Sequence, residues 1–304
     1  MNGKKRVLIT GGTGYIGTLL VQKLLLDSHI EVCLLTRDKQ RVIEIFGASL
    51  QYIEIASITK MQKDIQMFQP ECVIHLAAYA TSLDTQKAVN QLIKANIIFT
   101  SNLLLALSDI PIKLFVNAAS FSEYHNNASS LSPTYFYSAT KSAARGMIEY
   151  YAKRDGFRFI NTILYSVYGK KGIHKKIMDY AIDALDTTIP VPMSDGQQKL
   201  DFVHINDVVD LYIHLVHHSD VLNNHHIDYP VGSGVSYSIR EMVSMLETLT
   251  EKKANIDWGA YNKRKMDTEI ATADIDLTQA ELGYTVHYPL KKGLQQYIKD
   301  LNVR

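Results

Sequence analysis

Three glycines, Gly11, Gly14 and Gly17, stand at three-residue intervals in VLITGGTGYIGTLL (residues 7–20), between two apolar runs. Val7, Leu8 and Ile9 read as a short buried strand, while Ile16, Leu19, Leu20, Leu24 and Leu25 recur at helical spacing, so the stretch is predicted as strand, tight turn and helix. Glycine at these places has a mechanical reason. The first permits the turn, the second lets main chain approach a ligand with no side chain between, and the third lets helix and strand pack closely. The helix N-terminus then offers unpaired N–H groups and a partial positive charge, which suits a pyrophosphate. Gly11, Thr13, Gly14, Tyr15, Ile16 and Gly17 make up this expected cradle for a dinucleotide cofactor.

Apolar runs at VLIT, VCLLT, CVIHLA, KLFVNAA and FINTILY alternate with helix-length segments up to about residue 168. Such alternation predicts an α/β fold, a Rossmann-type doubly wound parallel sheet with helices on both faces. After Gly169 the rhythm breaks: Pro190, Pro192, Pro230 and Pro289 punctuate short strand candidates and amphipathic helices around 175–187, 239–251 and 290–301. Residues 1–168 are read as the cofactor-binding domain and 169–304 as a smaller α/β substrate domain that returns segments to the first sheet.

With 32 basic and 31 acidic residues there is no global field to recruit nucleic acid or a membrane surface, so an anionic ligand must be held locally. No apolar run reaches membrane-spanning length and the N-terminus opens a strand where a signal segment would stand, so a cytoplasmic location is expected. Cys33 and Cys72 lie in apolar strands and are read as buried small hydrophobes; the sequon at Asn127 is a chance match. His217-His218 and His225-His226 flank a polar loop without carboxylate partners at ligand spacing, so no metal is expected, and His75 is read as a satisfied core residue. Trp258 and Tyr261 are assigned to packing between the domains.

The second strand ends Leu34-Leu35-Thr36-Arg37. An acid there would accept from the ribose 2′-hydroxyl of NAD, whereas an arginine accommodates a 2′-phosphate. Thr36 occupies the acid's position with Arg37 beside it, so NADP(H) is favoured over NAD(H); Asp38, the rival acid, lies two positions late.

Residues 135–141 read YFYSATK, and helical spacing continues beyond them, so Tyr137 and Lys141 project from one face of a helix. A phenol is a poor acid–base catalyst at neutral pH, but a neighbouring ammonium and a cationic nicotinamide stabilise its anion. Tyr135, six residues from Lys141, falls on another face. Ser120, ending the FVNAAS strand, is placed to hydrogen-bond the reacting oxygen, which completes a Ser120–Tyr137–Lys141 constellation for acid–base work on a hydroxyl or ketone.

On GGTGYIG, VIHLAA (73–78), Asn96 with the following NLLLAL, YSATK, VYG (167–169), DFVHINDVV, VGSGVSYSIRE and ELGYTVHYPLKKGL, the chain resembles the extended short-chain dehydrogenases/reductases that act as nucleotide-sugar epimerases, dehydratases and reductases. The resemblance implies cofactor contacts at Leu76, Ala77, Ala78, Asn96, Lys141 and Val167, substrate contacts at Ser120, Ser122 and Ser166, a nucleotide-diphosphate sugar as substrate and a homodimer built on two helices per subunit. Departures narrow it. Dehydratases place an acidic pair directly after the strand-end Ser or Thr; here Phe121 and Ser122 follow and Glu123 comes third. An Asn before VYG and an Arg before DF, common in epimerases, are Ser166 and Leu200, leaving Lys199 and Arg264 to meet a diphosphate; the acid expected after the third strand is Ser57. The lysines of KKGIHKK (170–176) either wrap the diphosphate or form a solvated helix start. The run from Ser120 to Lys141 is similar to that of the 4-ketoreductases making 3,6-dideoxyhexoses on CDP, the paratose and abequose synthase group, which serve bacterial surface polysaccharides. The expected activity is therefore NADPH-dependent reduction of a nucleotide sugar's 4-keto group. An NAD-dependent 4-epimerase, which returns its hydride to the same sugar, is the alternative, and a non-catalytic NADP-sensing protein the remote one.

Overall fold

A computed structural model describes residues 3–55, 57–172, 175–222, 227–262 and 264–302; His225 and His226 lie outside them. In the first half, strands β1 (Lys5–Thr10), β2 (Ile30–Thr36), β3 (Gln51–Glu54), β4 (Cys72–His75), β5 (Leu114–Ser120) and β6 (Arg158–Leu164) alternate with helices α1 (Tyr15–Leu24), α2 (Lys39–Phe46), α3 (Ile58–Phe68), α4 (Gln86–Leu92), α5 (Phe99–Leu107) and α6 (Phe136–Asp155). The second half holds β7 (Ser166–Tyr168), α7 (Ile177–Asp183), β8 (Val191–Met193), β9 (Lys199–His204), α8 (Ile205–His217), β10 (Asp228–Val231), β11 (Ser236–Ser238), α9 (Ile239–Thr250), β12 (Ile256–Trp258), β13 (Ile270–Ala271), α10 (Asp276–Leu282) and α11 (Leu290–Asn302).

Seven parallel strands form the main sheet in the order β10-β6-β5-β4-β1-β2-β3. The order reverses direction at β1, so the crevice beyond the carboxyl ends of β1 and β4 is where a doubly wound sheet binds its ligand. Because side chains alternate along a strand, Val7 and Ile9 enter the apolar layer with Leu20, Val21 and Tyr212, whereas Leu8 enters the layer with Ile65, Leu103 and Phe115. Burial on both faces explains the near-continuous apolar strands. Cys33 and Cys72 are free and buried. The four-residue β3, with one buried residue, carries too little pattern to stand out in the sequence.

β10 takes the sheet's edge beside β6, with Asp228 opposite Asn161. A polar chain stitches it there: Asn117 donates to Asn161 (2.6 Å), Asn161 to Asp228 (2.7 Å), and Arg145 of α6 clamps Asp228 through Nε and Nη2 (2.8 and 2.6 Å). β9 gathers β7, β11 and β13 into a second sheet. Its Asp201 carboxylate is buried and accepts from the N–H groups of Ser233 (2.6 Å), Gly234 (2.9 Å) and Ala273 (3.2 Å) and from the Ser233 hydroxyl (2.7 Å). A third apolar cluster, with Tyr168, Phe202, Met242 and Tyr297, lies under that sheet.

Trp258 departs from expectation. It pairs β12 with β8, stacks under Arg240 (4.4 Å to the ring) and closes on Gly196, all within the second half, because β8 and α9 supply its cover; Tyr261 is exposed. His217 also has a carboxylate partner, Asp27 at 3.1 Å, from a turn remote in sequence. Among the described residues no group of three or more His, Cys, Asp or Glu is arranged to hold a metal ion, and no helix is long and apolar enough to cross a membrane.

Candidate active site

The glycine turn is closed as tightly as its spacing suggests. Gly11 has φ +69°, and a Cβ there would stand 2.7 Å from the Ala77 nitrogen; a Cβ on Gly17 would stand 2.2 Å from the Gly11 carbonyl oxygen. The exposed Gly14 meets only that same oxygen, at 3.0 Å, and no side chain caps α1. A bare, outward-facing backbone at a helix N-terminus fits a dinucleotide pyrophosphate. Gly12 stands outside the three-residue spacing, yet it too is close-packed: a Cβ there would stand 2.7 Å from a Leu34 methyl, which would have to shift.

Leu76, Ala77 and Ala78 follow β4 as loop beside this turn, the strand ending at His75, two residues short of the CVIHLA run, and the Ala77 N–H donates to Thr10 (3.2 Å). Thr10 continues a buried polar line through His75 (2.8 Å) to Thr100 (3.1 Å). Burial first, and then Lys141, hold the His75 imidazole down at about 3, so it is neutral and fully bonded. Between α4 and α5 one π-helical segment, Ile93–Ile98, contains Asn96. Its buried carboxamide accepts from Tyr79 N–H (2.9 Å) and donates to the Tyr79 carbonyl (3.0 Å) and to Thr140 (2.9 Å). Asn96 therefore fixes the loop after β4 to α6 from behind the site and has no donor left for a cofactor.

A cavity of about 350 Å³ opens at the carboxyl ends of β5 and β6, lined among others by Ile16, Ser120, Phe121, Tyr137, Tyr165, Ser166, Val167 and Lys176. Ser120, Tyr137, Ser166 and Val167 thus come together as the motifs imply. Ser122 is buried behind them, sharing a hydrogen bond with the Ser120 hydroxyl (2.8 Å) and so orienting it. Tyr135 is engaged elsewhere: its hydroxyl donates to Asp267 (2.8 Å), and the Arg264 guanidinium lies 5.8 Å from its ring. Lys199 is exposed, near Glu241 at the start of α9, and does not line the cavity, because β9 turns its first residue outward there. Nothing in the sequence distinguishes Lys176 from its neighbouring lysines, but the fold does. Its ammonium reaches the Val167 carbonyl (3.0 Å) and sits 3.6 Å from the Tyr15 ring, whose hydroxyl donates to the Lys170 carbonyl (2.9 Å). A larger depression, about 420 Å³, lies at the opposite end of the sheet, where Lys113 and Asp220 pair at 2.6 Å without any of this chemistry.

The electrostatics correct one expectation. Burial raises the Tyr137 phenol above its ordinary value, the Glu123 carboxylate raises it further, and the hydrogen bond with Ser120 opposes them only in part. The ammonium of Lys141 does not by itself make this tyrosine acidic; in the protein alone the phenol keeps its proton. Lys141, 2 % exposed, is lowered to about 8 by burial, with Glu123 opposing. An unfolded lysine holds its proton more firmly, so folding loses free energy while the unfolded chain alone is protonated. The contribution of Lys141 to the stability of the cofactor-free protein is therefore expected to rise with pH from about 8 toward the ordinary lysine value, by up to ~3 kcal/mol. Thermal melts of wild type and Lys141→Met across that range check this: because Lys176 and Cys33 also titrate differently in the folded protein, the readout is the difference, and wild type should gain on the variant as the pH rises.

At the end of β2, Thr36 is buried and bonded to Asp38 backbone, and Arg37 projects into solvent. Asp38 caps α2 through the Arg41 N–H (3.0 Å), and Ser57 likewise caps α3 through Lys60 N–H (3.2 Å). Both residues are thereby committed to helix ends.

Sheet, switch-point crevice, glycine turn and a cavity walled by Ser120 and Tyr137, with Lys141 buried one helical turn from Tyr137, define a nicotinamide-dinucleotide oxidoreductase architecture. The chain belongs to the NAD dependent epimerase/dehydratase family, whose model matches residues 7–232. It is 24% identical to CDP-abequose synthase of Salmonella muenchen over 298 residues, covering 97% of each chain. It is 26% identical to the CDP-abequose synthase of Salmonella typhimurium, covering 98% of this chain and 99% of that one. Among solved structures, UDP-glucose 4-epimerase of Thermotoga maritima with UDP-glucose superposes with TM-score 0.85 at 20% identity, covering 98% and 99% of the two chains. The UDP-glucuronic acid 4-epimerase of Bacillus cereus with UDP-glucuronic acid and NAD gives 0.82 at 23%, covering 97% and 99%.

Proposed function

We propose that the chain reduces the 4-keto group of a nucleotide-diphosphate deoxyhexose with NADPH. The observation that carries this reading is the end of β2: Arg37 is free to meet a 2′-phosphate, and Asp38, the acid that would favour NAD, is occupied at a helix cap. A reductase must exchange its spent cofactor, whereas an epimerase keeps one NAD through the cycle, so cofactor choice and reaction type go together. The end-to-end likeness to CDP-abequose synthases supports the same reading and makes CDP-linked sugars the first substrates to try.

The glycine turn would hold the pyrophosphate, Thr36 and Arg37 the adenosine ribose, and Lys141 the nicotinamide ribose. When bound, NADPH supplies the hydride for C4. Ser120, oriented by Ser122, donates to the keto oxygen and polarises it. Tyr137, which carries its proton, gives it to that oxygen as charge develops there. Ser166 and Lys176 would face the sugar and diphosphate, with Arg264, beside Tyr135, a further candidate for the diphosphate; the active form is a homodimer.

The test is nicotinamide absorbance on adding 4-keto-6-deoxyhexoses linked to CDP, dTDP, UDP or GDP, with NADPH and NADH in parallel. NADPH-coupled reduction is expected. Purification with bound NAD and turnover without added cofactor would instead establish the 4-epimerase, the reading the NAD-bound solved relative favours. Arg37→Ala should raise the KM for NADPH about tenfold or more, the loss of one charge-assisted contact, and leave NADH kinetics as they were.

A further inference from the structure

Glu123 is the third residue after the strand-end serine, is fully buried, and takes part in no step of the proposed reduction. A short helical turn, Phe121–Glu123, folds it back so that one carboxylate oxygen accepts from the Ser120 N–H (2.9 Å) and the other from the Ser142 hydroxyl (3.0 Å). Ser120 presents its hydroxyl to Tyr137, and Ser142 follows Lys141 on α6, so the carboxylate is bonded to the immediate neighbours of both.

We propose, resting on the reductase reading, that Glu123 is a positioning residue whose buried negative charge, fixed by Ser120 and Ser142, keeps the proton on Tyr137 and the charge on Lys141 until a keto sugar arrives. The sign follows from Coulomb's law: a carboxylate beside a phenol disfavours the phenolate, and beside an ammonium favours the cation. Glu123 is faced from α6 by Lys141, Tyr137 and Ser142, from its own turn by Ser120 and Tyr124, and from β10 by Asp228. The Asp228 charge is taken up by Arg145 (2.6 Å), so it adds little to Glu123's own. Burial raises the Glu123 carboxyl above its ordinary value, and Lys141 and the two hydrogen bonds oppose that only in part. A reductase gains from this, since its proton donor then stays loaded to higher pH.

The test is Glu123→Gln, which keeps the size and the Ser120 hydrogen bond and removes the charge. Tyr137 is one of 18 tyrosines, so its ionisation is read as the near-ultraviolet phenolate signal of each protein minus that of its Tyr137→Phe partner, in the NADP⁺ complex. Tyr137 is expected to titrate roughly one pH unit lower in Glu123→Gln; coincident titrations overturn the proposal. Should Glu123→Gln fail to fold, the same comparison is made in Lys141→Met, where no unmatched ammonium remains. Unfolding there too would make the carboxylate's role structural and overturn the proposal. NADPH oxidation is assayed alongside. Separated titrations without turnover of any 4-keto sugar leave this inference standing and remove the substrate reading, whereas turnover with coincident titrations does the reverse.

Discussion

Tyr137→Phe is expected to lower reduction of the sugar by about 10²–10⁴-fold with cofactor affinity unchanged. The substitution removes one oxygen from the wall of the cavity and leaves the ring, α6 and Lys141 in place. The effect is large because the developing alkoxide needs a proton at the moment hydride arrives, and the Ser120 hydroxyl, shared with Ser122, can polarise the carbonyl without relinquishing a proton to it. Single-turnover nicotinamide absorbance, with NADPH binding followed by fluorescence, separates the chemical loss from a binding loss. A variant retaining a tenth or more of the wild-type rate would remove Tyr137 from the role of acid.

Gly17→Ala is the second large effect, and its cause is steric. The new methyl would stand 2.2 Å from the Gly11 carbonyl oxygen and 2.7 Å from the Gly12 Cα, main-chain atoms that move only if the turn opens. Overpacking of this kind costs typically about 1–3 kcal/mol, and the displaced turn should also bind NADPH more weakly. Gly146→Ala, in the middle of α6 with nothing beyond its own stretch of helix within 4 Å of where its methyl would stand, serves as the control and should gain up to ~1 kcal/mol from helix propensity. Denaturant midpoints of the two variants are expected to move in opposite directions; a neutral Gly17→Ala would show that the close approach is not required.

The parallel core strands and the Tyr137–Lys141 face are legible in the sequence because each is set by local pattern: apolar runs, glycine spacing, a four-residue helical repeat. What is not legible is decided by distance along the chain. Nothing near Asp267 announces that it meets Tyr135, or near Asp27 that it meets His217. Asn96 is visible as a motif, yet its work, tying Tyr79 to Thr140, depends on a π-helical turn that periodicity does not reveal. Glu123 reads in sequence only as a misplaced acid, since its two hydrogen bonds arise from a turn three residues long. Lys199 misleads because charge can be read from sequence and direction off a strand cannot.

One edge of the main sheet is supplied by residues 228–231, after the chain has already left to build β7, α7, β8, β9 and α8. The two halves are consequently interlaced, and a chain ending at residue 168 would leave β6 with a bare flank and Arg145 with no Asp228 to clamp. New sugar preferences on such a scaffold must arise by altering loops in place, because exchanging the C-terminal portion wholesale would unravel the platform that carries the chemistry.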